Sequence, residues 1–308
     1  MKEKSQFEKN AADKQVELLS EALNGAVSAG GHWLNATGKG YPKFYPKGVA
    51  VSPFNALFMA LHSDKTGSKT NLFTLYSEAK ARGESVREHE KGVPFLFYNW
   101  NKYVNRNNPN DIISRNDYQQ LPPEERNRYK GIHNREIRTL FTIDQTLLPL
   151  VDKNVYETLV QKHGNSVEQG FGEKELRELR PRFNAFVQAI SKNMVPVRTD
   201  GSGVAHYDSQ KDAVYISRQK DFEHYTDYAQ ETLRQIIAAT GHQQRLAREG
   251  MVMKNGVPPT EDAVKQEHLI SEIASGIKML EMGLPARLSD ENIKICLLYT
   301  SPSPRDLS

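Results

Sequence analysis

Hydrophobic positions along the chain recur with helical spacing in three long stretches and alternate in a few short ones. In residues 7–29 the apolar residues Val16, Leu19, Leu23 and Ala26 fall three or four apart, the spacing of one helix face, and Gly30-Gly31 ends the run. Residues 33–49 mix Gly, Pro, Lys and aromatic residues without a period and are read as a loop. Phe54–His62 reads as a buried helix entered through Ser52-Pro53, because proline fits the first helical turn. Thr74–Arg82 reads as a short helix closed by Gly83, Val93–Trp100 as a strand with Pro94 near its start, and residues 101–116 as a loop. Tyr118–Tyr129 begins a helix at Leu-Pro-Pro-Glu-Glu-Arg, and Ile137–Ile143 alternates as a strand. Residues 151–182 are charged, with glycine breaks, and read as a helical connector. Beyond them come an amphipathic helix at Phe183–Ile190, a strand at Asp212–Ser217 and two long helices, Tyr225–Ala239 and Asp262–Glu281. The class these elements predict is α+β, in two domains.

Length supports that division, since 308 residues suffice for two ordinary domains. No apolar run approaches the roughly 18 residues of a membrane helix. The first residues, Met1-Lys2-Glu3-Lys4-Ser5-Gln6, carry both charge signs with no apolar stretch behind them, which argues against a secretory signal and for a cytoplasmic location. The single cysteine, Cys296, excludes an internal disulfide and a cysteine-based zinc site. Residues 295–308, ending Leu-Leu-Tyr-Thr-Ser-Pro-Ser-Pro-Arg-Asp-Leu-Ser, break the preceding helical pattern. They are read as a non-native tail, with the second unit truncated there.

Charge adds a modest asymmetry. Residues 1–150 hold 21 Lys and Arg against 16 Asp and Glu, while the remainder holds 20 against 22. A mildly basic first half suits nucleic acid. Two segments there interleave rings with cations, as binding of an exposed strand requires. The first contains Trp33, Lys39, Tyr41, Lys43, Phe44, Tyr45 and Lys47; the second contains Phe97, Tyr98, Trp100, Lys102, Tyr103 and Arg106. The competing reading makes Phe97 and Trp100 core residues and the lysines solvated loop positions.

The order of these landmarks resembles the ArdC antirestriction family. In the first half it rests on Asn55-Ala56-Leu57, Phe73-Thr74, Val86 with Glu90-Lys91-Gly92, Pro94-Phe95-Leu96-Phe97, Tyr118-Gln119-Gln120-Leu121, Glu124-Glu125-Arg126 and Phe141 with Asp144-Gln145-Thr146. The resemblance implies a single-stranded-DNA-binding domain over residues 1–150. It adds Asn55, Arg87 and Lys91 to the candidate DNA contacts Trp33, Tyr41, Lys43, Tyr45, Trp100, Lys102, Tyr103 and Arg106. The turn Glu88-His89-Glu90-Lys91 lacks one Lys and one Gly of the family's pattern.

The second half, residues 183–294, resembles the family's zincin-like peptidase domain through Gly203, Ala205, Tyr207-Asp208, Ala239-Thr240-Gly241-His242 and Glu267-His268-Leu269-Ile270-Ser271-Glu272. Peptidases of this kind carry His-Glu-x-x-His on a helix, two metal ligands one turn apart with a general base between them. Counting back from Thr240-Gly241 puts Arg234-Gln235-Ile236-Ile237-Ala238 at that place. Both histidines and the base are gone. The third ligand of the pattern falls on Glu267 or His268. Arg234, Gln235, Ala238, Glu267 and His268 are therefore expected to form a degenerate metal site, without zinc or another cofactor, in which Arg234 either pairs with Glu267 or stays exposed to solvent beside a partly buried Glu267. A relocated site built from His242, His268 and Glu272 is the alternative.

The resemblance implies a cytoplasmic protein that binds single-stranded DNA and protects DNA transferred by plasmid or phage. The alternatives are a metallopeptidase with an unorthodox ligand set and an interaction module for conjugation or phage proteins.

Overall fold

The computed structural model describes residues 6–28, 32–34, 39–164, 173–200, 204–253 and 256–288. Helix α1 (Gln6–Ser28) buries Leu18, Leu23 and Ala26, while Val16 points to solvent. The short strand β1 (His32–Leu34) follows, and β2 (Lys43–Phe44) and β3 (Val49–Ala50) lie within the stretch expected to be a loop. Helix α2 (Pro53–Lys65) has proline in its first turn and runs through the core, with every residue from Asn55 to Ser63 buried. Next come β4 (Leu72–Leu75) and α3 (Tyr76–Ala81), so Thr74 sits in a strand and the expected helix starts two residues later.

Strand β5 (Val93–Asn105), strand β6 (Asn108–Ser114), helix α4 (Arg115–Gln120), the single turn α5 (Pro123–Arg126) and strand β7 (Tyr129–Thr142) form the rest of the first unit. Their sheet has six strands in the order β3-β2-β4-β7-β5-β6. Strands β2 and β4 are parallel and all other neighbours antiparallel. Strand β5 thus continues well past the expected end at Trp100, and residues 101–116 are mostly strand. The sequence hid this because Asn, Lys, Arg and Asp occupy a ribbon with little buried area, so no apolar alternation marks it. Capping decides α4: Ser114 accepts the Asp117 amide, and Asp117 reciprocates.

The connector is more ordered than its composition suggests. Helices α6 (Leu148–Val151) and α7 (Lys153–His163) close the first unit, and Asp152 caps α7 through the Val155 amide. Helix α8 (Glu173–Asn193) absorbs the expected amphipathic helix and starts ten residues before it. Its Leu176, Leu179 and Phe183 pack into the core, so this part of the expected connector is anchored by apolar contact.

That unit contains β8 (Val197–Thr199), β9 (His206–Asp208) and β10 (Ala213–Ile216) in the order β8-β10-β9. It also contains the long helices α9 (Tyr225–Thr240) and α10 (Glu261–Met282), then β11 (Ala286–Arg287). Thr260 caps α10 through the Ala263 amide, and Gly283 ends it in the left-handed conformation at φ 77°, where glycine has no Cβ to clash.

The two units share one hydrophobic core. It runs from Leu18, Leu57 and Phe73 in the first to Phe183, Leu233 and Leu280 in the second. Strand β1 pairs antiparallel with β11, joining the two ends of the described chain. Trp33 stands at this seam, 3% exposed. A Cβ at Gly276 of α10 would lie 2.3 Å from its ring, so the helix approaches the indole only because glycine is there.

Candidate functional site

The first ring-and-cation segment does not assemble a binding surface. Trp33 is core, not a base platform. Tyr41 is half-buried against the core; its hydroxyl donates to the Val51 carbonyl at 3.0 Å. Burial, with Glu281 nearby, pushes that phenol up to about 12. Tyr45 packs beside Leu72, Ile143 and Leu148, donates to Glu84 at 3.2 Å and lies under the Arg82 guanidinium. Its hydroxyl is also raised, by burial first and then by Glu84. Lys43 is half-buried in β2.

Asn55 is also a structural residue. It is 2% exposed, and its amide closes both backbone positions of Leu96: Nδ2 donates to the Leu96 carbonyl at 2.8 Å and Oδ1 accepts the Leu96 amide at 2.9 Å. Paired this way, it fastens α2 to β5 and has no edge left for a nucleotide. Arg87 and Lys91 remain exposed, but Arg87 is tied to Glu90 at 2.6 Å.

The second segment lies on a ribbon made by the distal halves of β5, β6 and β7. Residues directly opposed across strands share a sheet face. Lys102 opposes Ser114 and Ile132, and Val104 opposes Ile112 and Lys130, so this face carries the exposed Lys102 and Lys130 with a half-exposed Ile112. Tyr103 opposes Ile113 and Gly131 on the other face, where Tyr118 of α4 stacks on it at 3.8 Å and 4°. A register shift between Asn99 and Lys102 brings Tyr98, 52% exposed, onto that ring-bearing face beside His133 at 5.9 Å. Arg126 reaches over Tyr118 and Arg106 is exposed at the hairpin tip. The side chain of Trp100 lies outside the described residues. Tyr118, His133 and Lys130 were missed by sequence reasoning, because they join this ribbon only through strand pairing.

The expected degenerate metal site lies between α9 and α10, with different partners. Arg234 pairs with Glu272, not Glu267: Nε donates to Oε2 at 2.8 Å and Nη2 to Oε1 at 2.9 Å. Its Nη1 donates to Glu231 at 2.9 Å, and Nη2 also reaches the Arg287 carbonyl of β11 at 2.9 Å. Gln230 adds a bond to Glu272 at 3.0 Å and accepts the Arg287 amide at 2.7 Å. Burial opposes the Arg234 charge, but Glu272 and Glu231 outweigh it and hold the guanidinium above its ordinary value. Gln235 faces Glu231 at 2.8 Å.

Glu267 is buried as well, and its partner is a second arginine. Arg248 donates through Nε to Glu267 Oε2 at 2.8 Å, and to the Ile237 carbonyl and Thr240 hydroxyl of α9. The loop bearing Arg248 is pressed onto the helices, since a Cβ on Gly250 would lie 2.3 Å from the Ala263 carbonyl. Nothing in the helical periodicity identified Arg248, which sits in an irregular segment. The relocated ligand set is not assembled: His268 is exposed, Glu272 is engaged by Arg234, and His242 lies 4.0 Å from Asp212. Among the described residues no group of three or more His, Cys, Asp or Glu comes together as a metal cage.

Both halves match known domains. The N-terminal domain of the anti-restriction factor ArdC matches residues 9–141, and a zincin-like metallopeptidase domain matches residues 181–295. No curated protein sequence matches the chain significantly. Two crystal structures of the antirestriction protein ArdC from plasmid R388 have the same fold. The metal-free form is 19% identical with a TM-score of 0.55, and the Mn(II)-bound form 17% identical with a TM-score of 0.57. Each alignment covers 92% of this chain and 87% of the other. The fold is thus an ArdC-type N-terminal domain joined to a zincin-like domain. The two family models together span both halves of the chain, which has the domain make-up of an ArdC-type antirestriction protein.

A zincin-like fold implies a divalent ion on α9. The residues present do not fit one. Ala238 offers no donor, and the Arg234 guanidinium occupies the neighbouring ligand position with Glu272 and Glu231 as its counter-ions. A cation brought there would displace an arginine that is 12% exposed and already charge-compensated.

Proposed function

We propose that this protein binds single-stranded DNA through its N-terminal half and shields DNA arriving by plasmid or phage transfer from restriction. In this reading the C-terminal half keeps the peptidase fold without metal or peptidase chemistry, and serves as a scaffold and a surface for conjugation or phage proteins. The observation that carries the DNA reading is the β5–β6–β7 ribbon. It presents rings on one face, Tyr98 and the Tyr103–Tyr118 stack, and ammonium groups on the other, Lys102 and Lys130. Bases stack on exposed rings for about 1–3 kcal/mol each, and cations follow the phosphates. A cytoplasmic location fits this role, and no helix among the described residues is long and apolar enough to cross a membrane.

Fluorescence anisotropy with a labelled single strand and its duplex, over a salt series, tests the reading. Preference for the single strand, with a log–log salt slope near −0.7 per phosphate neutralised, supports it. Absence of binding at low salt by folded protein sinks it.

A further inference from the structure

Tyr103 and Tyr118 are parallel to within 4°, with ring centroids 3.8 Å apart. That is closer than the roughly 4.5–7 Å at which protein rings ordinarily pair, offset or edge-on, because the negative faces of two rings repel when they overlap. Core pairs of this protein keep to that habit: Phe44 meets Phe95 at 69° and 5.2 Å, and Phe183 meets Tyr225 at 83° and 6.1 Å. Close parallel overlap is instead the geometry of stacked nucleobases, spaced about 3.4 Å along a strand.

The two rings are held by parts of unequal stiffness. Tyr103 belongs to β5, which is hydrogen-bonded to β6 on one side and to β7 on the other. Gly131, opposite it on β7, has no side chain to fill that flank of the ring. Tyr118 belongs to α4, in the segment 115–127 that crosses from β6 to β7. Neither α4 nor α5 buries a residue. Among the described residues, the side-chain hydrogen bonds of this segment close on residues 114–126. Ser114 and Asp117 cap α4, and Arg126 donates to the Leu121 carbonyl at 2.9 Å and the Gln119 carbonyl at 2.5 Å. Arg126 also lies over Tyr118, 5.9 Å from its centroid. These braces travel with the helix, and the tyrosine stack ties the self-braced segment to β5. Both rings are half-exposed, so a planar group can enter from their edges.

Charge does not define the site. The segment carries Arg115 and Arg126 against Asp117, Glu124 and Glu125, so phosphates are left to Lys102, Arg106 and Lys130 on the ribbon. What the tyrosine pair offers is two ring faces.

We infer that a base of the single strand inserts between Tyr103 and Tyr118, with α4 moving outward by about one stacking distance, roughly 3.4 Å, to admit it. In the unbound protein Tyr118 fills the base's place on Tyr103. The inference rests on the single-strand reading above and names the base-binding element within it.

The test uses the full chain and a single strand of alternating thymine and 2-aminopurine, a base whose fluorescence falls when it stacks. Intensity and anisotropy are followed over a salt series. Binding to the unaltered protein should quench the fluorescence. Tyr118→Phe should keep both quenching and affinity. Tyr118→Leu, which covers Tyr103 without offering a ring face, should lose much of the quenching and about fivefold or more in affinity. The salt slope should be the same in all three, because no phosphate contact is removed. Both variants should fold, since α4 buries no residue. Lys153→Ala on α7, outside the ribbon and with its side chain 76% exposed, controls for loss of a surface cation and should match the unaltered protein.

Unchanged quenching in Tyr118→Leu, or equal losses in Tyr118→Phe and Tyr118→Leu, overturns the inference. So does higher affinity in Tyr118→Leu, which would make Tyr118 a cover over Tyr103 and not half of a clamp. Each of these outcomes leaves the single-strand reading standing. Absence of binding at low salt by the folded, unaltered protein overturns that reading, and the inference with it.

Discussion

Arg234 and Glu272 meet through two parallel hydrogen bonds, Nε to Oε2 at 2.8 Å and Nη2 to Oε1 at 2.9 Å. This bidentate pair stands at the place where the related fold would put a metal between α9 and α10. It also reaches β11 through the Arg287 carbonyl, and β11 pairs with β1 of the first unit. One side-chain pair thus fastens the helix pair and the seam between the units.

Removing one partner leaves the other charge buried and unanswered. Glu272→Ala is expected to cost about 3–5 kcal/mol, and the apolar pair Arg234→Met with Glu272→Leu considerably less. Urea denaturation of the three proteins checks this. Equal losses in the single and double variants would mean that packing, not charge, dominates.

Metal should be irrelevant to stability. A chelator, zinc or manganese added to purified protein is expected to leave Tm unchanged, because a specifically bound ion would raise it by mass action. Differential scanning fluorimetry reads the result, and metal analysis of the purified protein gives an independent measure.

Acid should weaken the loop after α9. Hydrogen bonds from Arg245, with help from Tyr207, hold the Asp212 carboxyl down to about 2 against burial. A folded-state value below the unfolded one means the stabilisation is present above about pH 4 and lost as pH falls from there toward 2. Asp212 has φ 45°, which Asn tolerates. Asp212→Asn should therefore flatten that part of the stability–pH curve while keeping the backbone.

Core and surface aromatics should separate cleanly. Trp33→Leu is expected to lower stability by about 3 kcal/mol through lost packing at the seam, without changing DNA affinity per folded molecule. Gly276→Ala should destabilise similarly by driving a methyl into the indole. Lys102→Ala and Lys130→Ala should do the reverse: near-normal denaturation, but lower single-strand affinity and a salt slope shallower by about 0.7 each. Thermal melts paired with anisotropy titrations distinguish the two groups.

Asn55→Ala should behave as a structural variant. Two backbone groups of the half-buried Leu96 lose their partner at the α2–β5 junction, costing about 1–3 kcal/mol. A DNA-binding defect without loss of stability would contradict the assignment of Asn55 to the α2–β5 junction.

The sequence by itself determined the elements whose stability is periodic and local. Leu19, Leu23 and Ala26 share one helix face, proline starts α2, a long helix spans Asp262–Glu281, and the order of landmarks points to both domains of the family. The absence of histidine at Arg234 and Ala238, and of a carboxylate base at Gln235, was equally legible, because side-chain chemistry at a known spacing needs no coordinates. Tertiary structure alone decided the partners. Glu267 and Glu272 both face inward, and only the docking of α9, β11 and the loop ending at Gly250 assigns Arg234 to one and Arg248 to the other. Trp33, rich in promise as a stacking ring, is core because a glycine one long helix away lets α10 approach it. The ribbon escaped detection for the converse reason: backbone pairing between distant strands holds it, and hydrogen bonds between main chains leave no mark on which side chains are apolar.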